Sequence, residues 1–216
     1  MSEEGAEARD PVAYVVEDDE SIRTLWRWLM ESNGIAVRTF TTAHEFISGY
    51  RSGAPGCLVL DLRLPGMSGL ELLGYLKRNR VDLPIVFVTA HGDVRTAVTA
   101  IQEGAVDFIE KPFSYRQAVS IVRKAFERDA ENRARQSRQA EAAARLATLT
   151  ARERAVLRCV IAGKQNKIIA DELDISVKTV ESHRAKLMEK MRADSVAELV
   201  QLTLGFSLMD APEPPV

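Results

Sequence analysis

The chain has 216 residues, 46% hydrophobic and 28% charged, which sets aside disordered, collagen-like and disulfide-scaffold classes and leaves room for two small domains. Its formal net charge of -2 is too balanced for a polyanion-binding surface spread over the whole molecule. No apolar run nears the roughly 20 residues of a membrane span, and the acidic opening MSEEGAEARDP has no secretory core, so a cytoplasmic protein with no membrane contact is expected.

Val12–Val16 (VAYVV) is an apolar strand running into Glu17-Asp18-Asp19-Glu20. Ile22, Leu25 and Leu29 at helical spacing predict a helix ending near Asn33-Gly34. Ile35–Phe40 alternates weakly as a strand, and Ala43–Tyr50 reads as a short helix. Cys57–Leu60 (CLVL) is a buried strand ending at Asp61, with a helix over Leu70–Leu76 after Pro65-Gly66. Ile85–Val88 (IVFV) is another buried run ending at Thr89. Val94–Gln102 is helical up to Gly104, Val106–Ile109 is a strand, and a further helix opens at Tyr115. From Glu127 to Arg145 there is no Gly or Pro, and 4 acids face 5 bases among good helix formers. That stretch is either a coiled-coil-like, semi-rigid spacer or a solvated helix with no partner. A helical segment follows to Phe206, then a tail expected to be disordered. The predicted organisation is thus a domain over 10–126, a helical linker over 127–145, a second domain over 146–206 and a tail over 207–216. Cys57 and Cys159 lie far apart and near no histidine cluster, which argues for inert buried thiols in a reducing compartment.

Continuous apolar strands alternating with helices imply an α/β domain with a doubly wound, five-stranded parallel sheet. Ligands of such sheets bind beyond the strand carboxyl ends, where strand order reverses. That rule singles out Glu17, Asp18, Asp61, Thr89 and Lys111. Taken alone, a strand-end acid often caps a helix and a lysine before proline is often only a surface lysine. Together they offer a hard oxygen cage for Mg²⁺, a carboxylate nucleophile toward phosphorus, a hydroxyl donor and a cation for the charge that develops. Mg²⁺ is preferred to Mn²⁺ on availability and ligand type.

The strings VVEDDE, LVLDLRLPGMSGLELL, IVFVTAHGDV and GAVDFIEKPF resemble the receiver domain of two-component response regulators over about residues 10–126. The resemblance implies a flavodoxin-like fold, with Asp61 as phosphoacceptor and Glu17, Asp18, Asp61 and the Arg63 backbone carbonyl as the metal site. Thr89 and Lys111 would contact the phosphoryl group, and Thr89 and Phe108 would form the switch. A cis Lys111-Pro112 bond is implied too. Glu17 stands where the family more often has Asp, and its extra methylene still reaches a metal. Asp19 is expected to open the following helix. Arg63 and His91 hold positions that tune phosphoryl lifetime in the family.

In the last third, Thr150 and Glu153 form a candidate capping box at the start of Leu149–Arg158, and Asn166–Leu173 is a short helix with Ile168, Ile169 and Leu173 on one side. Asp174-Ile175 turns the chain, and Ser176 caps a helix over Val177–Met191, the order of a helix-turn-helix. Val177, Val180, Leu187, Met188 and Met191 share its apolar face; Lys178, Glu181, Ser182, Ala185, Lys186 and Glu189 share the polar one. Over Ser176–Arg192 there are 5 basic and 2 acidic residues, a local excess of +3, against -3 over Met1–Phe126 (14 basic, 17 acidic). Polar helix faces are commonly just solvated, but a small polar face also suits a major-groove helix.

The string LTARERAVLRCVIAGKQNKIIADELDISVKTVESHRAKLMEKM resembles the LuxR-type DNA-binding domain, so the whole is similar to the NarL/FixJ class. The resemblance implies Lys167, Lys178, Thr179 and Lys186 on phosphates and Glu181 and Ser182 at base edges. Arg184 is open between DNA contact and a structural role such as pairing with Glu153. A transcription factor is implied, phosphorylated by a sensor histidine kinase, homodimeric when phosphorylated, bound to promoter DNA and contacting RNA polymerase. Two other readings stand beside it. One is a Mg²⁺-dependent phosphohydrolase, which would need a second acid where Arg63 stands. The other is a constitutive DNA binder with a vestigial receiver, against the complete five-residue set.

Overall fold

The computed structural model describes residues 10–89, 101–102 and 104–206, and the chain divides into two units, Met1–Arg133 and Ala134–Val216. The first unit holds β1 (Val12–Val16), α1 (Glu20–Glu31), β2 (Ala36–Phe40), α2 (Ala43–Gly49), β3 (Gly56–Asp61), α3 (Gly69–Arg78), β4 (Ile85–Thr89), β5 (Asp107–Glu110) and the start of α4 (Tyr115–Ala147). The five strands form one parallel sheet ordered β2-β1-β3-β4-β5, so the strand order reverses between β1 and β3. The predicted doubly wound sheet is present. Of the predicted Val94–Gln102 helix only Ile101 and Gln102 fall within the described residues and both are helical; His91 and the tail 207–216 lie outside them.

Strand alternation sorts the apolar side chains to two faces. Leu58, Leu60, Ile85 and Phe87 pack with Phe46 of α2 and Leu72, Leu73 and Leu76 of α3. Cys57, Val59, Val86 and Val88 pack with Trp26, Leu29 and Met30 of α1 and Ala118, Ile121, Val122 and Ala125 of α4. Both faces are covered by helices, which is why β3 and β4 read as unbroken apolar runs rather than as alternation. Cys57 and Cys159 are free and buried, and burial raises both thiol pKa values.

Helix α4 runs unbroken for 33 residues, through the whole of the predicted linker, and the division between the units falls inside it. Its stretch up to Arg133 is fastened to the loop before β3. The buried Asp129 Oδ2 accepts from the Gly56 N–H at 3.0 Å and from Arg133 Nε at 2.6 Å. Arg133 also donates to the carbonyls of Gly53 and Ala54, at 2.7 and 2.6 Å. A buried acid is tolerated when it is paired and hydrogen-bonded in this way.

The second unit continues through α5 (Ala151–Ile161), α6 (Asn166–Leu173), α7 (Val177–Met191) and α8 (Val196–Thr203). Its core gathers Leu149, Val156, Leu157, Val160, Ile169, Ala170, Val180, Leu187, Met191 and Leu199. The Thr150–Glu153 capping box is formed in both directions, and Ser176 caps α7. Asp174 makes the turn between α6 and α7 in the left-handed region, at φ 51. Two residues of the predicted apolar helix faces, Val177 and Ile168, are exposed. Val177 is the first residue of α7, and on the two-turn α6 Ile169 and Ala170 are buried in the core with Leu173 partly buried against it.

Candidate functional site

The first site lies at the switch point between β1 and β3. Gly56–Asp61 is buried throughout, and Asp61 is its last residue, so a carboxylate emerges where the strand meets the surface. The following segment turns back tightly enough that Gly69, first residue of α3, lies against Asp61; a Cβ there would stand 2.4 Å from the Asp61 carbonyl oxygen. Glycine is therefore required at 69 to seat α3 under the acid. Asp61 Oδ1 accepts from the Arg63 backbone N–H at 2.8 Å, and Oδ2 from Lys111 Nζ at 2.5 Å.

The end of β1 supplies the partner acids. Glu17 is buried and Asp18 is exposed, and one ligand oxygen from each of Glu17, Asp18 and Asp61 lies within 4.8 Å of the others. Lys111 Nζ reaches Glu17 Oε2 at 2.8 Å as well as Asp61. Burial first, and then the neighbouring Asp61 charge, push the Glu17 carboxyl up to about 7 against the relief offered by Lys111. Burial alone would lower the Lys111 ammonium, but its bonds to Asp61 and Glu17 outweigh that and raise it. Three clustered carboxylates answered by one ammonium leave an anionic, all-oxygen donor set, which fits a hard divalent cation. Thr89 is buried at the end of β4, and its carbonyl accepts from the Lys111 N–H at 2.7 Å. The Lys111-Pro112 peptide is cis. Phe108 pairs with Phe87 in the sheet register, on the face that carries Thr89, and the residue is 39% exposed. Asp19 stays out of the cluster: it caps α1, accepting from the Ser21 and Ile22 N–H groups, which lower its pKa.

The structure thus brings Glu17, Asp18, Asp61 and Lys111 together, with Thr89 adjoining. Sequence reading missed Arg23, whose Nη1 donates to the carbonyls of both Glu17 and Asp18, at 2.9 and 2.6 Å. A cation one turn into the helix that follows an acid pair was the available signal.

The second site is the outer face of α7. Lys178, Glu181, Ser182, Ala185, Lys186 and Glu189 are all exposed, opposite buried Val180, Leu187 and Met191. Thr179 is partly buried, with its hydroxyl 2.8 Å from Ser176 Oγ, and Lys167 is exposed on α6. Arg184 faces α6, donating to Asn166 Oδ1 at 2.9 Å, and Glu153 pairs instead with Lys190 at 2.7 Å. Two of the five cations counted in this stretch are thereby turned to structural bonds.

Residues 13–123 match the family model described as response regulator receiver domain, and residues 147–203 that described as bacterial regulatory proteins, luxR family. The transcriptional regulatory protein FixJ of Azorhizobium caulinodans is 42% identical over 194 residues, 88% of this chain and 90% of that protein. Response regulator protein TodT of Pseudomonas putida is 38% identical over 195 residues, 90% of this chain and 86% of that one. Among solved structures, response regulator StyR superposes with a TM-score of 0.79 at 40% identity, covering 92% of this chain and all 100% of that chain. Full-length FixJ from B. japonicum gives 0.57 at 40% identity, over 90% and 96% of the two chains. The chain belongs to the transcriptional response regulators of two-component systems, with a receiver domain followed by a LuxR-type DNA-binding domain, the family of FixJ.

Proposed function

We propose that a sensor histidine kinase passes a phosphoryl group to Asp61, and that the phosphorylated chain dimerises and binds promoter DNA through α7. There it activates transcription, with RNA polymerase as its partner. The reading is carried by one observation: Asp61, Glu17, Asp18 and Lys111 converge at the sheet's switch point, in a chain that also holds a helix-turn-helix. A carboxylate oxygen of Asp61 attacks phosphorus, the P–N bond to the kinase histidine breaks, and the bonding pair leaves with the imidazole nitrogen. The Arg63 N–H orients the carboxylate, Lys111 meets the phosphoryl charge, and the Thr89 hydroxyl donates to a phosphoryl oxygen. Glu17, Asp18, Asp61 and the Arg63 carbonyl are the residues that would hold Mg²⁺, which when bound neutralises phosphoryl charge during transfer.

The new charge draws Thr89 toward it and Phe108 follows on the neighbouring strand, a local electrostatic event biasing a two-state element. The proposed dimer face covers residues 98–126, where Ile101, Val106 and Phe108 are exposed apolar side chains. Two output domains then meet half-sites about one helical turn apart. Lys167, Lys178, Thr179 and Lys186 hold phosphates, and Glu181 and Ser182 face base edges. Arg184 is assigned to structure by its bond to Asn166. The chain turns over no separate substrate and supports only its own phosphorylation and slow dephosphorylation, since Arg63 stands where a phosphohydrolase needs a general acid. Its place is the cytoplasm, where kinase and promoter are both within reach.

Intact mass after incubation with Mg²⁺ and a small phosphodonor tests the first step. The expected result is one added phosphoryl group on the wild type and none on Asp61→Asn; equal labelling of the two contradicts the assignment.

A further inference from the structure

We infer that Arg23 is a positioning residue that holds the Glu17–Asp18 segment in its cation-binding geometry; the inference rests on the reading of Glu17, Asp18 and Asp61 as the metal site. Glu17, Asp18 and Asp19 bridge β1 and α1 without belonging to either. The Glu17 N–H donates to the Phe40 carbonyl at 3.1 Å, which fixes where the segment starts. Beyond that point the Arg23 side chain holds the carbonyls of Glu17 and Asp18, and the third is taken by the first backbone bond of α1. Arg23 Nη1 donates to Glu17 O at 2.9 Å and Asp18 O at 2.6 Å, and the Arg23 backbone N–H donates to Asp19 O at 2.9 Å.

The carboxylates need that restraint unequally. Those of Glu17 and Asp61 share the Lys111 ammonium. The exposed Asp18 carboxylate has no hydrogen-bonded side-chain partner among the described residues, so its direction is set by the backbone that carries it. Both carbonyl bonds come from the one nitrogen Nη1, whose two N–H directions the planar guanidinium fixes, whereas a lysine ammonium is a point charge on a flexible stem and holds the pair less well.

Position and charge make opposite predictions. A cation beside an anionic metal site repels the incoming ion, so if Arg23 acted only as a charge its removal would tighten metal binding. If it holds the segment, its removal loosens binding, as losses of residues that orient metal ligands do, by about tenfold or more.

The test is a Mn²⁺ titration of the full chain, with free ion followed by electron paramagnetic resonance. Arg23→Ala, Arg23→Lys and Arg27→Ala are compared with wild type, and thermal unfolding serves as the folding check. Arg27 is one turn further along α1 and donates to the Thr39 hydroxyl at 2.6 Å, so its variant removes the same charge without touching the segment. Arg23→Ala is expected to raise the Mn²⁺ dissociation constant about tenfold, with Arg23→Lys between it and wild type and Arg27→Ala unchanged. Phosphoryl uptake by the Arg23 variants is expected to need more metal for half-saturation and to approach the wild-type limit when metal saturates. Should Arg23→Ala fail to fold, Arg23→Lys decides by the same criterion. Variants that bind Mn²⁺ as tightly as wild type, or more tightly, overturn the proposal. A wild type that binds no Mn²⁺ overturns the metal-site reading itself.

Discussion

Lys111 carries two ionic partners at once, Glu17 Oε2 at 2.8 Å and Asp61 Oδ2 at 2.5 Å. Lys111→Met leaves two carboxylates facing each other with no ammonium between them, drives the Glu17 carboxyl still higher and removes the cation proposed to meet the phosphoryl group. Phosphoryl uptake from a small donor is expected to slow by about 100-fold, since preorganised charge of this kind is worth that much. Stopped-flow rates on the full chain check this, and a loss of less than about threefold would contradict it. Glu17, Asp18, Asp61, Thr89 and Lys111 were legible in the sequence because each interrupts or follows an apolar run, and a parallel sheet sends all such ends to one edge. The bonds among them were not. That Arg23 braces the acid pair, or that the Arg63 N–H holds Asp61, depends on where a side chain or loop folds back. Arg184 makes the same point: the sequence leaves it between DNA contact and a structural role, and only packing shows Asn166 of α6 beside it and Lys190 beside Glu153.

The elements followed the sequence wherever periodicity and punctuation agreed, as in β1, β3, β4 and the capped helices α5 and α7. The long α4 helix was also legible in its composition, but its division was not: Asp129 and Arg133 are two more charged residues in a charged stretch until the loop before β3 closes on them. Asp129→Ala removes a buried acceptor and strands the Gly56 N–H, leaving Arg133 with its bonds to the Gly53 and Ala54 carbonyls. It is expected to destabilise the first unit by about 2 kcal/mol and to speed amide exchange over residues 127–133. Unchanged exchange there would show that the fastening carries no stability. In the second unit, hydrogen bonds from Lys190 first, then from the Thr150 N–H, hold the Glu153 carboxyl down at about 2. A depressed acid contributes stability above its unfolded value of about 4.5, and that stability is lost as pH falls toward about 2. With Lys190 partly exposed and screened, the amount is about 1–2 kcal/mol. Acid titration followed by circular dichroism is therefore expected to show a flatter profile over that window for Glu153→Gln. It should also show lower stability than wild type at neutral pH. Parallel profiles for the two proteins would contradict the assignment.

At the scale of the molecule, an overall charge of -2 conceals a division of labour, with an acidic pocket at one sheet edge and the exposed Lys167, Lys178 and Lys186 in the helical unit. The described surface of α7 bears Glu181 and Glu189 beside Lys178 and Lys186, so a single copy has little electrostatic grip on DNA and gains most from being paired. This is the physical reason to expect control by dimerisation, in which one phosphoryl charge at Asp61 alters how many DNA-binding units arrive together. The most direct test is to measure promoter-DNA affinity at fixed salt on one preparation before and after phosphorylation, with Asp61→Asn treated in parallel. The account predicts tighter binding, by about tenfold or more, in the phosphorylated wild type alone, accompanied by a monomer-to-dimer shift. Equal affinity of all three samples would contradict it.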